Sequence, residues 1–391
     1  MQKLYLRLRT KKLYSIGKEE SDEIKKAINS DGYNNFDNKL INMLLDLQIL
    51  TEGIQDPEKI ERMKIPIPKI NFVWLELTKR CNCRCIHCYN ATDKAKPNDM
   101  SLADFYLAID KLEEYGDIIE LQFIGGEPLL CPDFDRMLDY ASKKFSISMY
   151  SNIILLSDEK IKYIKEKGVK KIYTTIFSYI PQEHDKVTQF LNSFERQNEN
   201  IKKLKAAGFY VRVTHIKMKG INVGEKNTDL YDLSKNEDTV RLCGKGNLNL
   251  YTLDLLKEKA IQKERFSYLP SKEKILENMN FNHCFTPKIY IDTNLDVYPC
   301  AMERRIKYGN LHNADLLTMR DTNFCQSNKD AQKECKECEY RYVCTDCRAD
   351  AINKDFYAKP WYCTYKPLEG RWQDFGLFVE SLSNRYGIEF L

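Results

Sequence analysis

The stretch INFVWLELTKRCNCRCIHCYN, residues 70–90, runs an apolar strand directly into a loop carrying Cys81, Cys83, Cys85 and Cys88. Thiols this close together either pair, hold a metal or lie open to oxidation. The downstream sequence helps to decide between these fates. DFYLAIDKLEEYG reads as a helix, IIELQFIGG as a strand, DFDRMLDYASKK as a helix and SISMYSN as a strand. SDEKIKYIKEKG is then a helix, KKIYTTIF a strand, ERQNENIKKLKAAG a helix, and YVRVTHIKMK and DTVRLCG are strands. Strands alternating with helices pair in parallel through right-handed crossovers. Six strands are too few for a closed eight-stranded barrel. The expectation is therefore an α/β fold, a partial and open (βα)6 barrel, over residues 70–280.

Upstream, KLYLRLR and KLYSI alternate like short strands. SDEIKKAINS and NKLINMLLDLQIL read as helices, the second with Leu40, Leu44 and Leu47 on one face. IPIPK, with Pro66 and Pro68, breaks the pattern and serves as a linker. Residues 1–69 are expected to form a small winged-helix-like unit, either a recognition domain or an ornamental extension. Beyond about residue 280 the alternation stops. The chain becomes cysteine-rich and loop-like, and finishes in an amphipathic helix, QDFGLFVESLSNRYG.

Among 391 residues, 61 Lys+Arg stand against 57 Asp+Glu, a balance too even to argue for nucleic acid. No apolar run is long enough to span a membrane, and MQKLYLRLRTKK lacks the continuous apolar stretch of a signal peptide. The chain reads as cytoplasmic, where thiols stay reduced, so its cysteine clusters point to metal or catalysis rather than disulfides. Of the 14 cysteines, four lie at 81–88 and eight between 284 and 363. Two such regions imply two metal-bearing sites. Cys131 and Cys243 stand apart and read as buried core thiols.

Cys81, Cys85 and Cys88 form C-x3-C-x2-C. Three thiolates can hold three irons of a [4Fe–4S] cluster and leave the fourth iron open; zinc would want a fourth protein ligand. With the aromatic His87 before the last cysteine, the spacing resembles the radical SAM enzymes, whose open iron chelates S-adenosylmethionine. In that register Cys83 is a spectator and His87 points away from the cluster. Gly125, Gly126, Glu127 and Pro128 match the family's GGEP motif, which there binds the methionine amino group. Adjacent glycines permit close approach of a ligand, and the Glu127 carboxylate can accept an ammonium. The resemblance also implies cofactor contacts from Ser151, Asn152 and Thr175, at the C-terminal ends of parallel strands.

Cys284 and Cys300, followed by CKECEYRYVCTDC (residues 335–347) and Cys363, resemble the SPASM domain with its two auxiliary [4Fe–4S] clusters, expected here over residues 281–391. The resemblance implies Cys335, Cys338, Cys344 and Cys363 for the distal cluster, and Cys284, Cys300 and Cys347 for the proximal one. Cys325 or an open iron would complete the proximal set. Three departures stand out. Leu295 replaces a customary glycine, Cys344 and Cys347 are separated by two residues rather than three, and Ala301 sits where sulfatase-maturing relatives carry a basic aspartate.

CEYRYVCTDCRADA and KPWYCTYKP look most like the peptide maturases of the grasp-with-SPASM group. That likeness implies three [4Fe–4S] clusters, S-adenosylmethionine, an external electron donor and a ribosomally made precursor peptide, with its leader recognised by residues 1–69. It implies neither a nucleic-acid nor a membrane partner. The expected reaction is hydrogen abstraction by a 5′-deoxyadenosyl radical followed by a crosslink, thioether first, carbon–carbon or ether next. An open proximal iron could ligate a substrate thiolate. The nearest alternative is another SPASM enzyme, protein-modifying or epimerising. A non-catalytic zinc protein binding nucleic acid is more distant.

Overall fold

A computed structural model describes residues 3–7, 12–16, 39, 42, 43, 46, 65–91, 98–226, 230–267, 270–282, 284–320, 327–352 and 355–390. Near the N-terminus, β1 (Lys3–Arg7) and β2 (Lys12–Ile16) pair as an antiparallel hairpin where two strands are expected. Of the two helices expected next, residues 39, 42, 43 and 46 are helical and the rest lies outside the described residues.

The six expected strands are present and parallel: β3 (Phe72–Thr78), β4 (Glu120–Gly125), β5 (Ser146–Tyr150), β6 (Lys171–Thr175), β7 (Tyr210–Lys217) and β8 (Glu237–Thr239). They lie side by side in chain order. Between them run α1 (Leu102–Tyr115), α2 (Phe134–Ala141), α3 (Asp158–Glu166), α4 (Pro181–Thr188) and α5 (Ser193–Ala206).

Period-two alternation sorts each strand's side chains between two faces. Val73, Leu75 and Leu77 of β3 are fully buried in one apolar core with Phe105, Ala108, Ile109 and Leu112 of α1. Each such side chain contributes about 1.5–3 kcal/mol. The spacing of those α1 residues gives one apolar helical face. Ser101 caps the helix by accepting from the Asp104 N–H, and Gly116 ends it at φ +86°. On the opposite face, Phe72 and Trp74 of β3 line the same cavity as Asp238 and Thr239 of β8. The sheet therefore curves round a lumen, as an open barrel does.

The region expected to be loop-like past residue 280 also enters this sheet. β9 (Lys288–Ile291) pairs parallel with β3; β10 (Asp296–Tyr298) and β11 (Gly309–Asn310) extend it antiparallel, making nine strands. Leu295 sits in the β9–β10 turn at φ +63°, fully buried. This left-handed conformation is the one glycine adopts without cost, which accounts for the residue the resemblance leads one to expect there.

The helices α6 (Leu253–Lys259), α7 (Lys272–Asn280), α8 (Leu316–Arg320) and α9 (Phe375–Tyr386) follow β8 in the chain, with short 3-10 turns between them. A second core joins Val240 and Tyr251 to Trp361, Tyr362, Phe378 and Leu382, tying the chain after β8 to the C-terminal region. Among the described residues no helix is long and apolar enough to cross a membrane.

Candidate active site

The loop after β3 is held from both sides. The Arg84 and Ile86 N–H groups donate to the Thr188 and Val187 carbonyls at the end of α4, at 2.9 and 3.0 Å. The Gly126 and Glu127 N–H groups donate to the Thr78 and Arg80 carbonyls, at 2.9 and 2.7 Å. A Cβ on Gly125 would stand 2.5 Å from the Thr78 oxygen, and one on Gly126 would stand 2.2 Å from the Arg80 oxygen. These glycines thus make room for the cysteine loop itself, beyond any room for a ligand.

A cavity of about 140 Å³ opens where these parts meet. Cys81, Cys83, Cys85 and Cys88 line it, together with Gly125, Gly126, Ser151, Asn152 and Thr175. The structure therefore gathers eight of the ten residues expected at the radical site. Glu127 and Pro128 are the other two; both are buried, and neither is among the cavity's lining residues. The Glu127 carboxylate accepts from Ser151 Oγ (2.8 Å), the Asn152 N–H (2.8 Å) and the Leu129 N–H (3.1 Å). Burial outweighs these bonds and pushes its pKa up to about 7.

Asn152 Nδ2 in turn donates to Asn82 Oδ1 at 2.8 Å and lies 3.7 Å from the Cys83 sulfur. The next residue, Ile153, is fully buried at φ +55°, rare for a β-branched side chain. Asn200 Nδ2 fixes that turn by donating to the Ile153 carbonyl at 2.7 Å. Strain of this kind persists where the surroundings over-determine it, and such places cluster at functional sites.

Cys83 is buried against Cys81 and Cys85, and hydrogen bonding to Cys81, then Cys85, raises its pKa strongly. It sits among the three expected ligands on the wall of the same cavity. His87, expected to point away, instead lines both this cavity and the lumen, edge-on to Phe177. Burial, then Lys245, lowers its pKa to about 4, so the ring is neutral.

The lumen cavity, about 480 Å³, shares His87, Tyr89, Ile124, Tyr150 and Thr175 with the first. Trp74, Tyr173, Arg212 and Asp238 form part of its wall, with Cys300, Ala301 and Met302 arriving from the C-terminal region. None of these was singled out from sequence except Cys300 and Ala301. Alternation along β3, β6 and β7 was the signal that could have found Trp74, Tyr173 and Arg212.

The C-terminal thiols fall into two neighbourhoods. Cys335 lies within electrostatic range of Cys363, Cys338 of Cys344 and Cys335, and Cys363 of Cys344. Lys329 Nζ is 3.1 Å from the Cys344 sulfur and 2.5 Å from Asp346, a half-buried cation beside the thiols. Cys284 is within range of Cys300, and Cys347 of Cys300. Burial raises the Cys335 and Cys347 thiols to about 12 each, an opposition that metal charge overcomes on binding. Cys325 lies outside the described residues. No three described His, Cys, Asp or Glu side chains converge as they would on a single ion. A four-iron cuboid holds its thiolates farther apart. Cys131, by contrast, is a core thiol, buried 3.7 Å from the Met137 sulfur.

Residues 75–230 match the model of the radical SAM superfamily and form a radical SAM domain, so the chain is an enzyme. The subtilosin biosynthesis protein AlbA of Bacillus subtilis is 29% identical over 163 residues, 41% of this chain and 35% of that protein. The chain spans about a third to a half of the first curated relatives it matches. GTP 3′,8-cyclases are among them, and an AdoMet-dependent heme synthase of Methanosarcina barkeri is 23% identical over 75% of this chain and 95% of that protein. Sequence likeness alone therefore selects no substrate. The structure of anSMEcpe with AdoMet and the Cp18Cys peptide matches with a TM-score of 0.57 at 15% identity, covering 81% of this chain and 99% of that one. Streptococcus suis SuiB, bound to precursor peptide SuiA, matches at 0.53 and 15%, covering 87% and 85%. At these identities the likeness is one of fold.

Proposed function

We propose that the protein is a peptide maturase that abstracts a hydrogen from a ribosomally made precursor peptide and installs a crosslink, thioether foremost. One observation carries this reading: a cysteine-lined cavity with Ser151, Asn152 and Thr175 opens beside a larger lumen and shares five wall residues with it. The first space suits a cluster with its cofactor, the second a substrate side chain. When bound, the cluster and S-adenosylmethionine would supply a 5′-deoxyadenosyl radical.

The chain's own residues bind and orient. Cys81, Cys85 and Cys88 would hold the radical cluster. Gly125 and Gly126 fix the loop that carries those thiols. Glu127, buried behind the cavity wall, holds the Ser151 hydroxyl and the Asn152 N–H in place. Trp74, Tyr150 and Tyr173 give the lumen an aromatic wall. Ala301 lines the lumen where a base would otherwise stand, which speaks against formylglycine formation.

A peptide as substrate is supported by the bound peptides of anSMEcpe and SuiB and by the bacteriocin role of AlbA. Three clusters, two of them on the C-terminal cysteines, an external electron donor, a cytoplasmic location and leader recognition by residues 1–69 belong to the same proposal. The test is coexpression with the peptide encoded beside the gene, followed by mass spectrometry. Loss of two hydrogens per crosslink, dependent on Cys81, Cys85 and Cys88, is the expected result. An unmodified peptide beside an enzyme that cleaves S-adenosylmethionine would remove the peptide reading.

A further inference from the structure

Three charged side chains line the lumen: Arg212, Asp238 and Arg241. Asp238 is already engaged. Its Oδ2 accepts from Arg241 Nη2 at 2.5 Å and its Oδ1 from the Thr239 N–H at 2.8 Å. Arg241 also pairs with the buried Asp350 Oδ2, at 3.2 Å. Gln122 on the same wall is committed too: it accepts from Trp74 Nε1 at 3.0 Å and donates to Ser148 Oγ at 3.2 Å. Arg212 makes no hydrogen bond or ion pair with any described residue. The lining thus carries one more cation than anion, and that cation is free.

Strand register fixes where Arg212 stands relative to the radical cavity. It is in register with Tyr173 on β6, and Thr214, two residues on, is in register with Thr175. Thr175 lines both cavities. Two residues of strand span about 7 Å, so the Arg212 backbone lies that far along the lumen from the shared wall. Beside it Tyr173 and Tyr150 stand ring to ring, with centroids 6.3 Å apart and an interplanar angle of 8°. On β9, Lys288 Nζ lies 5.1 Å from the centre of the Trp74 ring, a second cation without an ion pair among the described residues. Arg212 is exposed, which leaves its guanidinium open to a molecule entering from solvent.

We propose that Arg212 is a specificity-determining residue that binds a carboxylate of the substrate peptide in the lumen. This rests on the reading of the chain as a peptide maturase, and narrows it to peptides that hold an acidic side chain or the C-terminal carboxylate near the modified residue. A guanidinium fork meets a carboxylate through two parallel hydrogen bonds, a match that the point charge of lysine lacks. A basic segment would meet like charge from Arg212 and Lys288, so the same wall disfavours it. At about 3.3 Å per extended residue, the anchored carboxylate stands about one to three residues from the attacked position.

The experiment uses the full chain, reconstituted anaerobically, and synthetic copies of the peptide encoded beside the gene. One set replaces each Asp or Glu in turn by Asn or Gln; another copy carries a C-terminal amide. Product formation is measured against peptide concentration for the parent, Arg212→Gln and Arg212→Lys. Arg212→Gln should raise KM about tenfold, the worth of one hydrogen bond to a charged group, with Arg212→Lys in between. One neutralised carboxylate in the peptide should raise the parent's KM by a similar factor and add nothing further to Arg212→Gln. An internal Asp or Glu that behaves so identifies a side-chain anchor, and the amide that behaves so identifies the C-terminus. The peptide variants leave the enzyme intact, so a misfolded Arg212 variant does not remove the test. A parent indifferent to every carboxylate replacement, or an Arg212→Gln protein with the parent's KM, overturns the assignment. A parent that cleaves S-adenosylmethionine but leaves the unaltered peptide unmodified overturns the maturase reading and this one with it.

Discussion

Replacing Gly126 with Ala should cost the protein its radical cluster. The added Cβ would stand 2.2 Å from the Arg80 oxygen, 2.7 Å from the Arg80 carbonyl carbon and 3.0 Å from Cys81 Cβ. All belong to the cluster loop or its root, and two are backbone atoms that no rotamer change can clear. Overpacking of this kind costs about 1–3 kcal/mol. At about 2–4 °C per kcal/mol for a domain of roughly 200 residues, the melting temperature should fall by about 2–12 °C. The loop must move to relieve the clash, taking Cys81 with it, so about four irons per chain should be lost. Gly208→Ala is the control. Its φ of +86° makes any side chain strained, but no atom lies within 4 Å of the new Cβ. It should lose about 1–2 kcal/mol and keep its iron. Iron assay and anaerobic thermal unfolding of both variants read the two effects separately. A Gly126→Ala protein with full iron would refute the claim that this glycine exists to admit the cysteine loop.

Glu127→Gln tests the buried carboxylate. Its pKa rises on folding from 4.5 to about 7, so the folded chain holds the proton more tightly and loses stability as pH climbs through that interval, by on the order of 3 kcal/mol. The variant should gain on the parent by about that amount across the window in cofactor-free denaturant titrations; a pH-independent difference would count against the shift. Cys335→Ala combined with Cys338→Ala should leave 5′-deoxyadenosine formation intact and abolish the crosslink, while a soluble double variant that crosslinks normally would make those thiols structural only. Leu295→Gly relieves about 1–2 kcal/mol of left-handed strain but empties a fully buried site worth about 2–5 kcal/mol. Net destabilisation in urea is therefore expected, and a more stable variant would contradict the packing.

The six parallel strands and the radical-site residues were legible because their signals are local. Alternation, glycine pairs and cysteine spacing all lie within a few residues of one another. What escaped was set by distant contacts. β9, β10 and β11 are only four, three and two residues long; β9 joins the sheet by pairing with β3 across more than 200 residues of chain, and β10 and β11 follow it in turn. The short α4, PQEHDKVT, carries no strong apolar period, yet its last turn anchors the cysteine loop. Gly125 and Gly126 suggested ligand approach, while their Cβ-less faces meet the Thr78 and Arg80 backbone.

The most direct test of the radical site is 5′-deoxyadenosine production by the anaerobically reconstituted full chain with dithionite and S-adenosylmethionine. The parent and the Cys83→Ala variant should both form it, because the C-x3-C-x2-C register leaves Cys83 outside the proposed ligand set. Cys81→Ala, Cys85→Ala and Cys88→Ala should each form none. A fully iron-loaded parent that makes no 5′-deoxyadenosine, or a Cys83→Ala protein as silent as the other three, would contradict this assignment of the radical site.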